Sequence, residues 1–339
     1  MPVATKLVAP GQIEVGEANP AGPLPEGWVR LHLARAGICG TDMHYFKHFG
    51  NAGFPLQNPV SLGHEACAYV LDPNGSDLPE GALVAVNPII GCGRCEYCQS
   101  GQENLCTDKK FPGSALTVPH IDGFFQEVFA FPAACCHPAP EGVTPAELAF
   151  TEPLACSLHA VNLAEVGPGS QVLVMGCGPM GLLAAIGALA KGATVDCADM
   201  KPELVEKAVK LGARTGYLIG GDSEPVPTLR YDCVVEATGA IPAFNLAMKA
   251  ARKGGAVAVV STLQPGANGV DLNLIMLKEL SIIGAFQFNR EFREAMAIIA
   301  SGQFDFSLLI GRTFPLEEAR EAFALATSGQ AGGKVQFSI

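Results

Sequence analysis

Val172-Leu173-Val174-Met175-Gly176-Cys177-Gly178-Pro179-Met180-Gly181 is the stretch on which the fold turns. Four apolar residues run straight into G-x-G-x-x-G, and a long apolar segment follows as far as Lys191. That is a buried strand, a tight turn and a helix in immediate succession. Gly176 permits the turn, Gly178 lets the backbone approach a pyrophosphate, and Gly181 lets helix and strand pack closely. Pro179 and Met180 open the helix, whose first amides and dipole attract phosphate charge. Asp199 stands roughly 20 residues further on, at the end of the next apolar run, where a carboxylate suits an adenosine ribose and repels a 2′-phosphate. The pattern points to a dinucleotide, with NAD(H) expected over NADP.

Outward from this fingerprint the chain keeps alternating. Strands are expected at 172–175, 194–198, 217–219, 233–237, 256–260 and 281–285, and helices at 179–191, 202–212 and 242–252. Pro202 suits a first helical position and Gly212 a helix stop, and Lys253-Gly254-Gly255 reads as the stop of the third helix. Six strands alternating with helices imply right-handed crossovers and a parallel sheet covered on both faces, the doubly wound α/β class. Beyond 287 come two amphipathic helices, 290–301 and 316–327, and a closing strand at 334–338.

Before about residue 145 the texture differs. Gly and Pro are dense, and short alternating runs such as Val29-Arg30-Leu31-His32-Leu33 and Ala82-Leu83-Val84-Ala85-Val86 stop at turn residues. This half reads as a β-rich domain with functional loops. A length of 339 residues agrees with about two domains. With 49% hydrophobic and 16% charged residues, the chain can build its core without disulfide staples. A net charge of −11 and the lack of any Lys/Arg run exclude a nucleic-acid or acidic-membrane binder. No uninterrupted apolar stretch reaches the ~20 residues of a membrane span. Met1-Pro2-Val3-Ala4-Thr5-Lys6 lacks the cationic start and apolar core of a signal peptide. A cytoplasmic location is expected.

Four of the twelve cysteines form Cys92-x-x-Cys95-x-x-Cys98-x₇-Cys106. Four soft ligands on one short loop match a closed, structural zinc site. Disulfides or an iron–sulfur cluster are the rivals, and the expected compartment and the first part of the chain support neither. Three separated pieces could build a second, open site: Cys39, the pair His64-Glu65, and Glu152 in Thr151-Glu152-Pro153. Three protein ligands and a water make a catalytic zinc that polarises a bound oxygen. The remaining seven cysteines read as small buried hydrophobes.

Cys39-Gly40-Thr41-Asp42-Met43-His44, Gly63-His64-Glu65, the quartet, Glu152-Pro153-Leu154 and the glycine fingerprint follow one another in an order that resembles the zinc-dependent medium-chain dehydrogenases. The resemblance covers essentially the whole chain. Glu152-Pro153-Leu154 with Leu158-His159-Ala160 is similar to the polyol and sugar-acid branch. Cys106–Ala115, Pro119–Gly123, Gly284–Phe288 and Lys334-Val335-Gln336 resemble its L-idonate 5-dehydrogenase group.

The resemblance implies a GroES-like β-rich catalytic domain split over 1–153 and 288–339, with a Rossmann NAD-binding domain at 154–287. It implies two zinc ions per chain, a homodimer or homotetramer, and a small polyol or sugar-acid substrate. Cys39, His64 and Glu65 match the family's catalytic zinc positions, and Glu152 matches a ligand or a neighbour of the zinc-bound water. Thr41, two residues past Cys39, is expected to take the substrate proton and His44 to pass it to solvent. Asp42 is the candidate that orients the zinc-bound His. His120, Lys109, Lys110, Arg290 and Arg293 are the cationic candidates for a substrate carboxylate. The chain departs from the family at Ala68, where a glycine is usual, and at Phe124, which follows Gly123 in place of a second glycine. A positive φ at Phe124 would strain the substrate-side loop.

Overall fold

A computed structural model describes residues 2–18, 22–51, 53–220, 225–263 and 269–339. It divides into two compact units, Met1–Glu152 with Phe306–Ile339, and Pro153–Asp305.

The fingerprint unit is built on a six-stranded parallel sheet among the described residues. Its order is Thr215–Leu218, Thr194–Asp199, Gln171–Met175, Tyr231–Glu236, Ala251–Val259, Ser281–Gly284. In chain order this is 3-2-1-4-5-6, so the strand order reverses beside Gln171–Met175, where a dinucleotide fold has its binding crevice. Val172, Leu173, Val174 and Met175 are all 0% exposed. Buried on both faces, that strand is continuously apolar instead of alternating. The helix Pro179–Ala190 is buried from Gly181 through Ala188, which accounts for its lack of a polar face.

One expected element ends elsewhere. The helix over 242–252 is Ile241–Ala250, and Ala251 begins the next strand, so the Lys253-Gly254-Gly255 stretch lies inside Ala251–Val259. The pairing with Tyr231–Glu236 shifts register between Tyr231 and Cys233. A Cβ on Gly255 would come within 3.0–3.2 Å of the carbonyl oxygens of Arg252, Asp232 and Tyr231. These glycines ease a strand irregularity, where the sequence suggested a helix stop.

The second crossing between the units lies at Asp305/Phe306, later than the 287/288 expected. The intervening helix Glu291–Ala300 is tied to the nucleotide unit by polar contacts. Glu291 Oε1 lies 3.3 Å from His159 Nδ1, Asn162 Nδ2 donates to Glu291 and Glu294 at 3.1 Å, and Lys191 pairs with Glu294.

The other unit holds a mixed sheet in the order Ile310–Pro315, Lys334–Ser338, Trp28–Gly37, Glu65–Asp72, Leu83–Val86, Cys136–Pro138, with Val128–Pro132 also paired to Trp28–Gly37. The last strand of the chain runs antiparallel to Trp28–Gly37, placing Gln336 opposite Gly37. Phe125, Phe323 and Phe337 pack ring to ring in the core, with Phe125 4.9 Å from Phe337 and 6.0 Å from Phe323 between centroids. Phe124 is not strained. It lies outside the positive-φ set and packs at 5.0 Å on Phe129 and 5.1 Å on Phe131. The glycine needed at this corner is Gly123, where a Cβ would meet the Gly63 carbonyl oxygen at 2.4 Å.

Candidate active site

The strand Trp28–Gly37 delivers Cys39 to the N-cap of the helix Gly40–His48. At the third helical position Asp42 turns back, and its Oδ2 accepts the Cys39 amide at 2.9 Å. Its Oδ1 accepts the Gly63 amide at 3.2 Å. One wholly buried carboxylate thus staples the loop of Cys39 to the loop of His64, and burial pushes its pKa up. The carboxylate is 3.7 Å from His64 Nδ1, an ionic separation longer than a hydrogen bond. Gly63 has φ +97°, and a Cβ there would stand 2.4 Å from the Phe125 ring, so this turn requires glycine.

Cys39, His64 and Glu65 each bring a ligand atom within 4.8 Å of the others. Burial alone would depress the His64 imidazole, but Asp42 and then Cys39 beside it raise its pKa well above the ordinary value. His64 Nδ1 and Glu65 Oε2 are buried without hydrogen-bond partners. Two orphaned donor atoms beside a thiol fit a divalent cation of zinc's type. Glu152, in the first turn of Thr151–Leu163, is 5% exposed, and its charge acts on His64 and on Lys334.

Lys334 is the residue that sequence reasoning missed at this site. It is 5% exposed, and its Nζ donates to Glu65 Oε1 at 2.7 Å. Lys334, Gln336 and Ser338 alternate with Val335 and Phe337, a pattern that reads as a solvent face. Only the antiparallel register reveals that this polar face is covered. Thr41 and His44 are three residues apart on one helix and so share a face. Thr41 is half-buried and His44 exposed. Partial burial, then His48 and Lys47, lower the His44 pKa.

The sulfurs of Cys92, Cys95, Cys98 and Cys106 also lie within 4.8 Å of one another. Backbone amides point at them: Cys92 N donates to Cys106 Sγ at 3.3 Å, Cys98 N to Cys95 Sγ at 3.5 Å, and Asp108 N to Cys106 Sγ at 3.4 Å. Amides of Cys98 and Thr107 bring Cys95 down to about 6, whereas desolvation takes Cys98 up to about 12. Four thiols this close ionise together only beside a cation, so this donor set fits zinc.

At the sheet's carboxyl edge, Gly176 has φ +93°, and a Cβ on Gly181 would stand 1.8 Å from the Gly176 carbonyl oxygen. Around Gly178 nothing lies within 4 Å of such an atom, and this residue caps the helix without a side-chain bond. The Pro179–Met180 turn is thereby left open to a phosphate. Asp199, the candidate ribose partner, is already engaged with the backbone: its Oδ2 accepts the Cys177 amide at 2.7 Å and its Oδ1 the Lys201 amide at 2.9 Å. Among the candidate substrate cations, His120 Nε2 accepts the Gln57 amide at 2.8 Å, and its Nδ1 donates to Thr117 O at 2.9 Å. Lys109 donates to Asn104 O at 2.6 Å. Both are held by their own surroundings. Lys110, Arg290 and Arg293 are exposed.

Comparison with known proteins agrees with this arrangement. Residues 25–141 match the alcohol dehydrogenase GroES-like domain, and residues 179–301 match the zinc-binding dehydrogenase domain. L-idonate 5-dehydrogenase (NAD(P)(+)) of Escherichia coli K12 is 31% identical over 90% of this chain and 90% of its own. L-idonate 5-dehydrogenase of Vitis vinifera is 33% identical over 92% and 88%. Sorbitol dehydrogenase of Bacillus subtilis is 31% identical over 91% and 89%. The crystal structure of the Escherichia coli L-idonate 5-dehydrogenase superposes with a TM-score of 0.94 at 28% identity, covering 100% of this chain and 98% of that one. Matched over its length in sequence and in fold, the chain belongs to the zinc-dependent medium-chain alcohol and polyol dehydrogenases, an NAD(P)-linked family of oxidoreductases.

Proposed function

We propose that this enzyme moves a hydride from a secondary alcohol of a sugar acid to NAD, with L-idonate oxidised to 5-keto-D-gluconate. The cluster of half-buried Cys39 with buried His64 and Glu65 carries the reaction class. The substrate reading is supported by the names of the two L-idonate dehydrogenases among the relatives. Cys39 and His64, with Glu65 or Glu152 as the carboxylate, would hold the catalytic zinc, and the quartet the structural one. When bound, zinc supplies Lewis acidity that makes a nearby hydroxyl a better acid, and NAD supplies the hydride acceptor. Asp42 holds the Cys39 and His64 loops at fixed spacing through its two amide bonds. Thr41 Oγ1 receives the substrate proton and His44 passes it to water. The lowered His44 pKa keeps the imidazole neutral and able to accept. Asp199 favours NAD over NADP by its charge.

A neutral polyol such as sorbitol or xylitol is the second reading. Its support is that His120 and Lys109, two candidate partners of a carboxylate, are already engaged with the protein. Measuring kcat/KM for L-idonate, sorbitol and xylitol with NAD and with NADP decides between them. A higher value for L-idonate with NAD is expected, and a clear preference for sorbitol would overturn the sugar-acid assignment alone. The proposal includes a reducing, cytoplasmic setting, supported by twelve free cysteines. It also includes a homodimer or homotetramer, with no nucleic acid or membrane partner. Among the described residues no helix is long and apolar enough to cross a membrane.

A further inference from the structure

One buried acid at the carboxyl edge of the parallel sheet takes no part in the chemistry above. Glu236 ends the strand Tyr231–Glu236 and is 0% exposed. Its Oε1 accepts the amides of Thr238 at 2.8 Å and Gly239 at 3.1 Å, together with the Thr238 hydroxyl. Its Oε2 accepts the hydroxyl of Ser261, just past the neighbouring strand Ala251–Val259. Donors from two adjacent strand ends therefore converge on one carboxylate, away from water.

The corner they form leans on the fingerprint. A Cβ on Gly176 would lie 2.7 Å from the Thr238 γ-methyl, and one on Gly239, at φ +75°, 2.6 Å from the Thr262 carbonyl oxygen. Thr238 Oγ1 also accepts the Ala240 amide at 3.0 Å, at the entrance to the helix Ile241–Ala250, whose N-cap residue offers no side-chain bond.

The sheet order gives this corner a direction. Gln171–Met175 has Thr194–Asp199 on one side and Tyr231–Glu236 on the other. With Asp199 at the adenosine ribose and the fingerprint helix at the pyrophosphate, the rest of a dinucleotide continues over the ends of Tyr231–Glu236 and Ala251–Val259. We propose that Glu236 is a positioning residue for the nicotinamide-ribose half of the cofactor. It does not touch the cofactor. It holds Thr238, Gly239 and Ser261 in the shape that half binds against, so that less of the surface must be ordered on binding. Removing the carboxylate would leave the buried Gly239 amide and the partly buried Thr238 amide unpaired and let the corner relax. The inference rests on the NAD-linked reading above.

The test separates the two halves of the cofactor. NADH and AMP are titrated separately into wild type, Glu236→Ala, Glu236→Gln and Ser261→Ala, by fluorescence and calorimetry respectively. In Glu236→Ala the Kd for NADH should rise about tenfold or more while that for AMP stays within about twofold. Glu236→Gln keeps one oxygen for the two amides and should recover most of the loss. Ser261→Ala removes one donor and should weaken NADH about two- to fourfold with AMP unchanged, which keeps the test alive should Glu236→Ala not fold. Equal weakening of AMP and NADH, or unchanged NADH affinity in Ser261→Ala and both Glu236 variants, would overturn the proposal. A wild-type protein that binds neither nucleotide would instead overturn the NAD-linked reading.

Discussion

In the proposed function Asp199 has a second task beside its observed backbone bonds. Its carboxylate accepts two backbone amides, one of them in the fingerprint loop, and still has lone pairs for a ribose. Asp199→Ala should raise KM for NAD about tenfold and narrow its advantage over NADP, since the charge that repels a 2′-phosphate is gone. Because the Cys177 amide also loses its acceptor, NADP should not reach the wild-type efficiency with NAD. Steady-state kinetics with both cofactors checks this; a native preference for NADP would remove Asp199 as the selector. The two cysteine sets should separate as cleanly. Cys39→Ser should abolish turnover and one zinc while leaving the thermal transition nearly in place, because an open site contributes little to folding. Cys95→Ser should lose the other zinc and unfold several degrees lower, since a closed site's binding energy is folding energy. Metal analysis showing at most one zinc in fully loaded wild type would contradict both expectations.

At the scale of elements, the helix Glu291–Ala300 depends on a polar anchor as well as on its apolar face. Glu291 Oε1 faces His159 Nδ1 and accepts from Asn162, and Glu291 Oε2 accepts the Asn289 amide at 2.8 Å. Burial works against the charged carboxylate, but the His159, Asn289 and Asn162 contacts outweigh it and bring its pKa to about 2, against 4.5 ordinarily. A depressed folded pKa means that the stabilisation is fully present above about pH 4.5 and is lost as pH falls towards 2. Glu291→Gln should therefore be less stable than wild type by about 1–3 kcal/mol at neutral pH. That difference should shrink between pH 4.5 and 2 in urea unfolding; a gap independent of pH would show that the charge is not what matters. Most of this unit's elements were legible, since an apolar run between turn residues marks a parallel strand wherever it sits. The Gly254-Gly255 pair misled because glycine breaks helices and eases strands by the same freedom, and only the neighbouring Tyr231–Glu236 decides which.

For the whole molecule, the edge of the parallel sheet is where the proposed homo-oligomer would be joined. Ser281–Gly284 is an edge strand, and beside it in sequence Leu272, Met276 and Leu277 are 66–68% exposed. An exposed edge strand with apolar neighbours is a surface that another chain can cover. A twofold pairing here would cover both copies at once. Leu277→Asp with Met276→Asp should shift the protein to monomers in sedimentation or size-exclusion measurements and leave zinc content unchanged; an unaltered assembly would place the contact elsewhere.

Sequence by itself determined what is local. The fingerprint, Asp199 and the cysteine quartet are made of residues close along the chain, so spacing alone marks them as candidate nucleotide and metal sites. Cys39, the pair His64-Glu65 and Glu152 could be grouped by residue chemistry as a possible metal site, but their order along the chain gained weight only through resemblance to a family. The tertiary structure decided the rest: that Asp42 staples the Cys39 and Gly63 loops, that Lys334 closes on Glu65 from the last strand, and that Glu236 binds two strand ends into one corner. The reason is register. Alternation says that Lys334–Ser338 is a strand. Which strand it pairs with, and which of its faces is covered, depends on long-range hydrogen bonding that no local pattern encodes.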